Sequence, residues 1–230
     1  MATQQKHTVY GYVREIFGVN QAYPLDIIQI IYNYYLITIA SNILTPSAQT
    51  ELLDFLYGQL KSRHTDEDIK SIDTKLLFRA SECGYNGEQF ETKCADKGPT
   101  ISIIHTEYDF VFGGYVSVSW GAKLDSNRAI DTTAFLFRIR PTIKYYPLKD
   151  VGVDSKGVNA AWSDSMGFAY GGGADVWVDD CKRKHGCGCQ NPGTFEFDPS
   201  ELCGGDPEVH RKNKAYFVVN DYEIFSINIS

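Results

Sequence analysis

The chain has 230 residues, 43% hydrophobic and 22% charged, a balance that excludes wholesale disorder and suffices for a self-supporting core. Its formal net charge is −7, which disfavours a dominant electrostatic grip on nucleic acid or anionic lipid. Aromatic residues make up 13% of it, with 15 Tyr and 13 Phe, a bias toward strands.

From the N-terminus, Met1 to His7 is polar and leads into no signal-peptide apolar region. Val9–Val13 is a short β-prone run. The most apolar stretch, Leu25–Ala40, is interrupted by Asp26, Gln29 and Asn33. It is also shorter than the roughly 20 residues that span a bilayer, so no transmembrane segment is expected. With Pro24 in its first turn, Leu25–Ile37 reads as a helix with one narrow polar stripe, buried on most sides. A soluble, cytoplasmic protein is the expectation.

Thr45-Pro46 reads as a helix N-cap followed by the first helical residue. Leu52, Phe55, Leu56 and Leu60 then form an apolar face at helical spacing. Ser62–Thr74 is polar and reads as a loop with a helical turn. Lys75–Ser81 leads into a glycine turn, and Asn86 with Gln89 resembles a capping box for a short helix ending near Cys94. After the breaker Lys97-Gly98-Pro99 the pattern becomes one of strands. They are expected at Thr100–Ile104, Tyr115–Trp120, Phe135–Arg140 and Asp175–Val178, with a longer pair over Ala215–Ile229. Period-two alternation with polar outer faces predicts antiparallel sheets packed face to face. No strand–helix–strand rhythm supports a doubly wound fold.

The motifs in this region resemble the TLDc domain family. Leu76–Tyr85 resembles the family's opening, followed by Phe90–Cys94 and Lys97-Gly98-Pro99-Thr100. Phe112-Gly113-Gly114-Tyr115 is similar to its Phe-Gly-small-Tyr strand, and Phe135-Leu136-Phe137 to its next core strand. Gly171-Gly172-Gly173-Ala174-Asp175 falls at its glycine-rich turn, and Asp221–Phe225 at its closing strand. The resemblance implies an α+β, mainly β fold: a two-sheet antiparallel sandwich flanked by short helices. It divides the chain into an N-terminal extension, 1–40, with an apolar helix, and a TLDc-like domain, 41–230. It further implies a eukaryotic, non-enzymatic interaction module linked to oxidation resistance. Its expected partner is a protein, the vacuolar proton pump, through which it would reach organelle membranes. No cofactor and no agreed catalytic centre come with the family. Two departures stand out. Gly167–Tyr170 interrupts the usual run of glycines, and Asp180–Lys214 is unusually rich in Cys, Gly and charge.

Residue by residue, the strongest binding or structural candidates are Gly113, Gly114, Gly171, Gly172, Gly173 and Glu223. Three glycines before a strand need a reason, either a positive φ or a close backbone approach. Phosphate cradling is disfavoured because no Lys-Ser/Thr follows, and a strand follows instead of a helix. Glu223 sits between Tyr222 and Ile224, where a carboxylate must accept hydrogen bonds. The glycine turn is one expected source of donors.

Cys181, Cys187, Cys189 and Cys203 read first as thiols of a reduced loop that binds no metal. The alternative is a zinc set, with His185 or His210 as substitutes, or an oxidisable cluster activated by Lys182, Arg183 and Lys184. That alternative makes the chain a thiol-based redox or metal-responsive protein. Cys83 and Cys94 read as buried small hydrophobes. No Gly-x-Ser-x-Gly elbow or close carboxylate pair is present, so no catalytic residue is assigned.

Overall fold

The computed structural model describes residues 39–63, 72–120, 129–149, 159–163, 167–172, 174–179, 186–190, 192–204 and 214–229. The expected helix over Leu25–Ile37 and the Val9–Val13 run lie outside them. The chain divides into two compact units. One comprises Met1–Ala40, Leu44–Thr74 and Ile229–Ser230, and the other comprises Ser41–Ile43 and Lys75–Asn228.

In the first unit, helix α1 runs Pro46–Arg63. Thr45 caps it, its Oγ1 accepting from the Ala48 amide at 3.3 Å. Leu52, Leu53, Leu56 and Leu60 are buried, the stripe that i, i+4 spacing dictates. Leu53 rather than Phe55 completes it, for Phe55 is only half-buried. The helix also continues through Ser62 and Arg63, which the sequence had suggested for a loop.

In chain order there follow strand β1 (Ile72–Arg79), helices α2 (Ala80–Cys83) and α3 (Gly87–Cys94), and strands β2 (Thr100–Thr106) and β3 (Val111–Val116). Next come β4 (Ala129–Ile130), β5 (Phe135–Arg140), β6 (Lys144–Tyr146), β7 (Asn159–Ser163), β8 (Phe168–Tyr170), β9 (Val176–Val178) and β10 (Cys187–Gln190). Helix α4 (Pro199–Cys203), β11 (Lys214–Phe217) and β12 (Val219–Ile229) complete the order. Two six-stranded sheets result, β1-β12-β2-β3-β5-β6 and β11-β10-β9-β8-β7-β4. Every pairing whose register is defined is antiparallel. The fold is therefore α+β and mainly β.

The core between the sheets is aromatic. Phe112 of β3 meets Phe217 of β11 edge-on at 5.5 Å, and Phe168 of β8 lies 5.5 Å from Tyr222 of β12. From α3, Phe90 stacks on Phe168 at 4.7 Å. Large flat side chains bridge a roughly 10 Å intersheet gap in pairs and add favourable ring geometry to their area burial. Asn86 caps α3 by accepting from the Glu88 amide at 2.8 Å.

The pair of strands expected over Ala215–Ile229 is present as β11 and β12, which Val218 alone separates and which lie in different sheets. Two expectations need correction. The strand expected at Tyr115–Trp120 is shifted to Val111–Val116, and Trp120 forms an isolated bridge with Ala95. The β3 register is set by Phe112, Gly114 and Val116 facing one way and Val111, Gly113 and Tyr115 the other. Finally, the outer faces are not uniformly polar. All six residues of β3 and five of six in β5 are buried. Tyr115 stacks on Phe135 at 5.2 Å across the β3–β5 register, on the face opposite Phe112. Alternating sequence locates a strand but does not tell a solvated face from a covered one.

Candidate functional site

The β-rich unit holds three polar or thiol constellations and one glycine-dependent strand crossing. The first centres on Glu223. Alternation in β12 directs Tyr222 and Ile224 into the intersheet core and Glu223 to the opposite face, where its side chain is wholly buried. Its Oε1 accepts from Arg79 Nε at 2.7 Å and from the Asn42 amide at 2.9 Å, and its Oε2 accepts from Ser41 Oγ at 2.5 Å. Arg79, at the end of β1, also pairs with Glu82. A buried carboxylate is tolerable only when paired and hydrogen-bonded, and this one is both. Its donors come from Ser41, Asn42 and Arg79, not from the glycine turn that the sequence had offered.

The glycine turn belongs to a second carboxylate. Gly171 has φ +85°, and a Cβ there would stand 2.5 Å from Asp175 Cγ. Glycine is thus required twice over, by its torsion and by its neighbour. Asp175, buried at the mouth of β9, accepts from the amides of Gly193, Thr194 and Phe195 at 3.0, 2.7 and 3.0 Å. The Gly172 amide donates to Thr194 Oγ1 at 2.9 Å, clamping the turn to the same loop. Gly173 lies outside the described residues.

The third constellation is the thiols. Cys181, His185 and His210 lie outside the described residues, and among the described ones no three His, Cys, Asp or Glu side chains converge for a metal. Cys187 and Cys189 are in β10 and Cys203 ends α4, all fully buried and all in the intersheet core. They are therefore core residues, not thiols of a loop. Their hydrogens are engaged: Cys203 Sγ donates to Pro199 O at 3.1 Å and Cys187 Sγ to Asp179 O at 3.7 Å. Burial, then hydrogen bonding with Cys203, pushes the Cys189 thiol well up. Burial likewise pushes Cys94 up to about 12, while Cys83 is only partly buried. A nucleophilic or metal-binding thiol needs the opposite shift.

A pH dependence follows. A pKa raised on folding contributes stability that is fully present below the unfolded-state value, about 8.5 for a thiol, and is lost as pH rises through the folded-state value. Urea-melt stability should accordingly fall between about pH 9 and pH 12. At pH 8, Cys94, Cys187, Cys189 and Cys203 should resist iodoacetamide for hours in the native protein. Peptide mass spectrometry showing them alkylated as fast as in the unfolded chain would contradict their placement.

At the crossing of β2 and β3, a Cβ on Gly113 would lie 1.9 Å from the backbone oxygen of Ser102, and one on Gly114 would lie 2.7 Å from the Tyr170 ring. The two glycines let the strands and the opposite sheet close together. Tyr170 of β8 then reaches across, its hydroxyl 2.7 Å from Ser102 Oγ and 3.1 Å from Gly114 O. Burial pushes the Tyr170 phenol pKa up, which keeps the hydroxyl protonated.

Sequence reasoning singled out Glu223 and the glycines but missed Arg79, Ser41, Asp175 and Tyr170 as their partners. The available signal was charge complementarity. Arg79 is a cation ending an apolar run, and Glu223 an anion in the middle of another.

Asp175 accepts from three backbone amides, and Glu223 from one amide, one hydroxyl and one guanidinium. No helix among the described residues is long and apolar enough to cross a membrane. Comparison with known proteins agrees with the architecture. A family model described as the TLDc domain matches residues 37–228. A stretch of 75 residues is 36% identical to MTOR-associated protein MEAK7 of Xenopus laevis, and one of 75 residues is 35% identical to the protein of the same name from Gallus gallus. Each stretch is 31% of this chain and spans 15% of the relative's length. With the family's motifs in order from Leu76 to Phe225 and the match extending over most of its length, the chain belongs to the TLDc domain family.

Proposed function

We propose that the chain is a non-catalytic protein-interaction module whose partner is the vacuolar proton pump, acting in protection against oxidative damage. The observation that carries this reading is the TLDc match over residues 37–228. It is supported by a sandwich whose buried carboxylates, Glu223 and Asp175, are occupied in holding backbone. The two relatives are named for association with MTOR, which makes MTOR the competing partner. The thiol-based alternative gains nothing from Cys187, Cys189 and Cys203, whose burial in the core withholds them from oxidants and metals.

The test uses the purified full chain against the isolated, purified peripheral sector of the pump in interferometry, with ATP hydrolysis followed in parallel. Saturable micromolar or tighter binding with a changed hydrolysis rate is the expected result. Absence of binding to the pump, alongside binding to purified MTOR, would replace the partner.

A further inference from the structure

Ser41, Asn42 and Ile43 belong to no helix or strand. They group with the β-rich unit, although the residues on either side of them in sequence, up to Ala40 and from Leu44, group with the other. Glu223 is one point at which they meet the sheet. Glu223 Oε2 accepts from Ser41 Oγ at 2.5 Å and Oε1 from the Asn42 amide at 2.9 Å, while Ser41 Oγ itself accepts from the Ile43 amide at 3.1 Å. Ser41 is buried, Asn42 exposed and Ile43 half-buried, and Glu223 has no exposure at all. Arg79 Nε donates to the same carboxylate at 2.7 Å from the neighbouring strand.

That last contact sets the energetics. If Ser41 and Asn42 leave, Glu223 keeps its counter-ion, so release gives up hydrogen bonds without stranding a bare charge. Loss of Arg79 would strand one. The two halves of the network therefore differ in kind: Arg79–Glu223 is permanent, and Ser41–Asn42 is detachable.

We propose that Ser41–Ile43 is a releasable strap, which opens from Glu223 as a local unit while the sandwich stays folded. Its control point is the charge facing Ser41 Oγ. A negative charge introduced at Ser41 would stand against the Glu223 carboxylate and hold the strap open, and neutralising Glu223 would relieve that repulsion.

The experiment is amide hydrogen exchange on the full chain, comparing the Asn42 and Ile43 amides with the protected amides of β2. In the unaltered protein the strap amides should exchange at least 100-fold faster than those of β2 and show no dependence on sub-denaturing urea, on which β2 exchange depends steeply. Ser41→Asp should speed the strap amides a further tenfold or more and leave β2 unmoved, and adding Glu223→Gln should reverse most of that gain. Strap amides sharing the rate and urea slope of β2 would overturn the proposal, and that comparison needs no variant to fold. A Ser41→Asp effect that reached β2 equally, or that Glu223→Gln left unrelieved, would overturn it too.

Discussion

Replacing Glu223 by Ala is expected to destabilise the protein by about 3–5 kcal/mol, the range for removing one partner of a buried ion pair. The loss is large because three donors lose their acceptor together: the Arg79 guanidinium, the Ser41 hydroxyl and the Asn42 amide. In a chain of this size the melting midpoint should drop on the order of 10 °C. The diagnostic comparison is a double-mutant cycle with Arg79. Arg79→Met alone leaves the carboxylate unpaired and should also cost several kcal/mol. The double variant Arg79→Met with Glu223→Met should recover much of the loss, because an apolar pair of similar volume removes both desolvation penalties. Additive losses in the cycle would show that the pair does not act as a unit.

Gly113→Ala should be the most damaging of the glycine substitutions. Its new methyl would stand 1.9 Å from Ser102 O, a backbone atom that cannot swing aside, and 2.9 Å from the Phe137 ring. Either β2 and β3 separate, breaking the pairing on both sides, or the fold is lost. We expect a cost of about 3 kcal/mol or more, at the upper end of overpacking penalties. Gly58 is the internal control: it lies in α1, nothing stands within 4 Å of its would-be Cβ, and Gly58→Ala should stabilise by roughly 0.5–1 kcal/mol through helix propensity alone. Equal effects at the two positions, read by urea denaturation, would mean that the close crossing does not govern Gly113.

What the sequence made legible was local. Alternation located β5 to the residue, Thr45-Pro46 announced α1, and the succession of motifs from Leu76 to Phe225 led to the family and its mainly β architecture. What stayed hidden was long-range. Ser41 and Glu223 are 182 positions apart, and nothing near either one names the other. Cys187 and Cys189 looked exposed because Lys, Arg, Gly and His surround them in sequence, yet β10 is an interior strand of its sheet and its period carries both thiols into the core. The donors of Asp175 are backbone amides, which have no residue signature at all.

The parting of β11 and β12 into different sheets after a single intervening residue bears on how the protein is made. β12 is the sole neighbour of β1 and lies between it and β2, so β1 stays out of the first sheet until β12 has emerged from the ribosome. β11, emerging just before it, is the final strand of the second sheet. β2, β3, β5 and β6 can pair as they emerge, but joining β1 to them waits for β12. Such a topology is high in contact order and slow to close. It places the chain's greatest exposure to aggregation, and its greatest need for a chaperone, in the interval just before β12 is released.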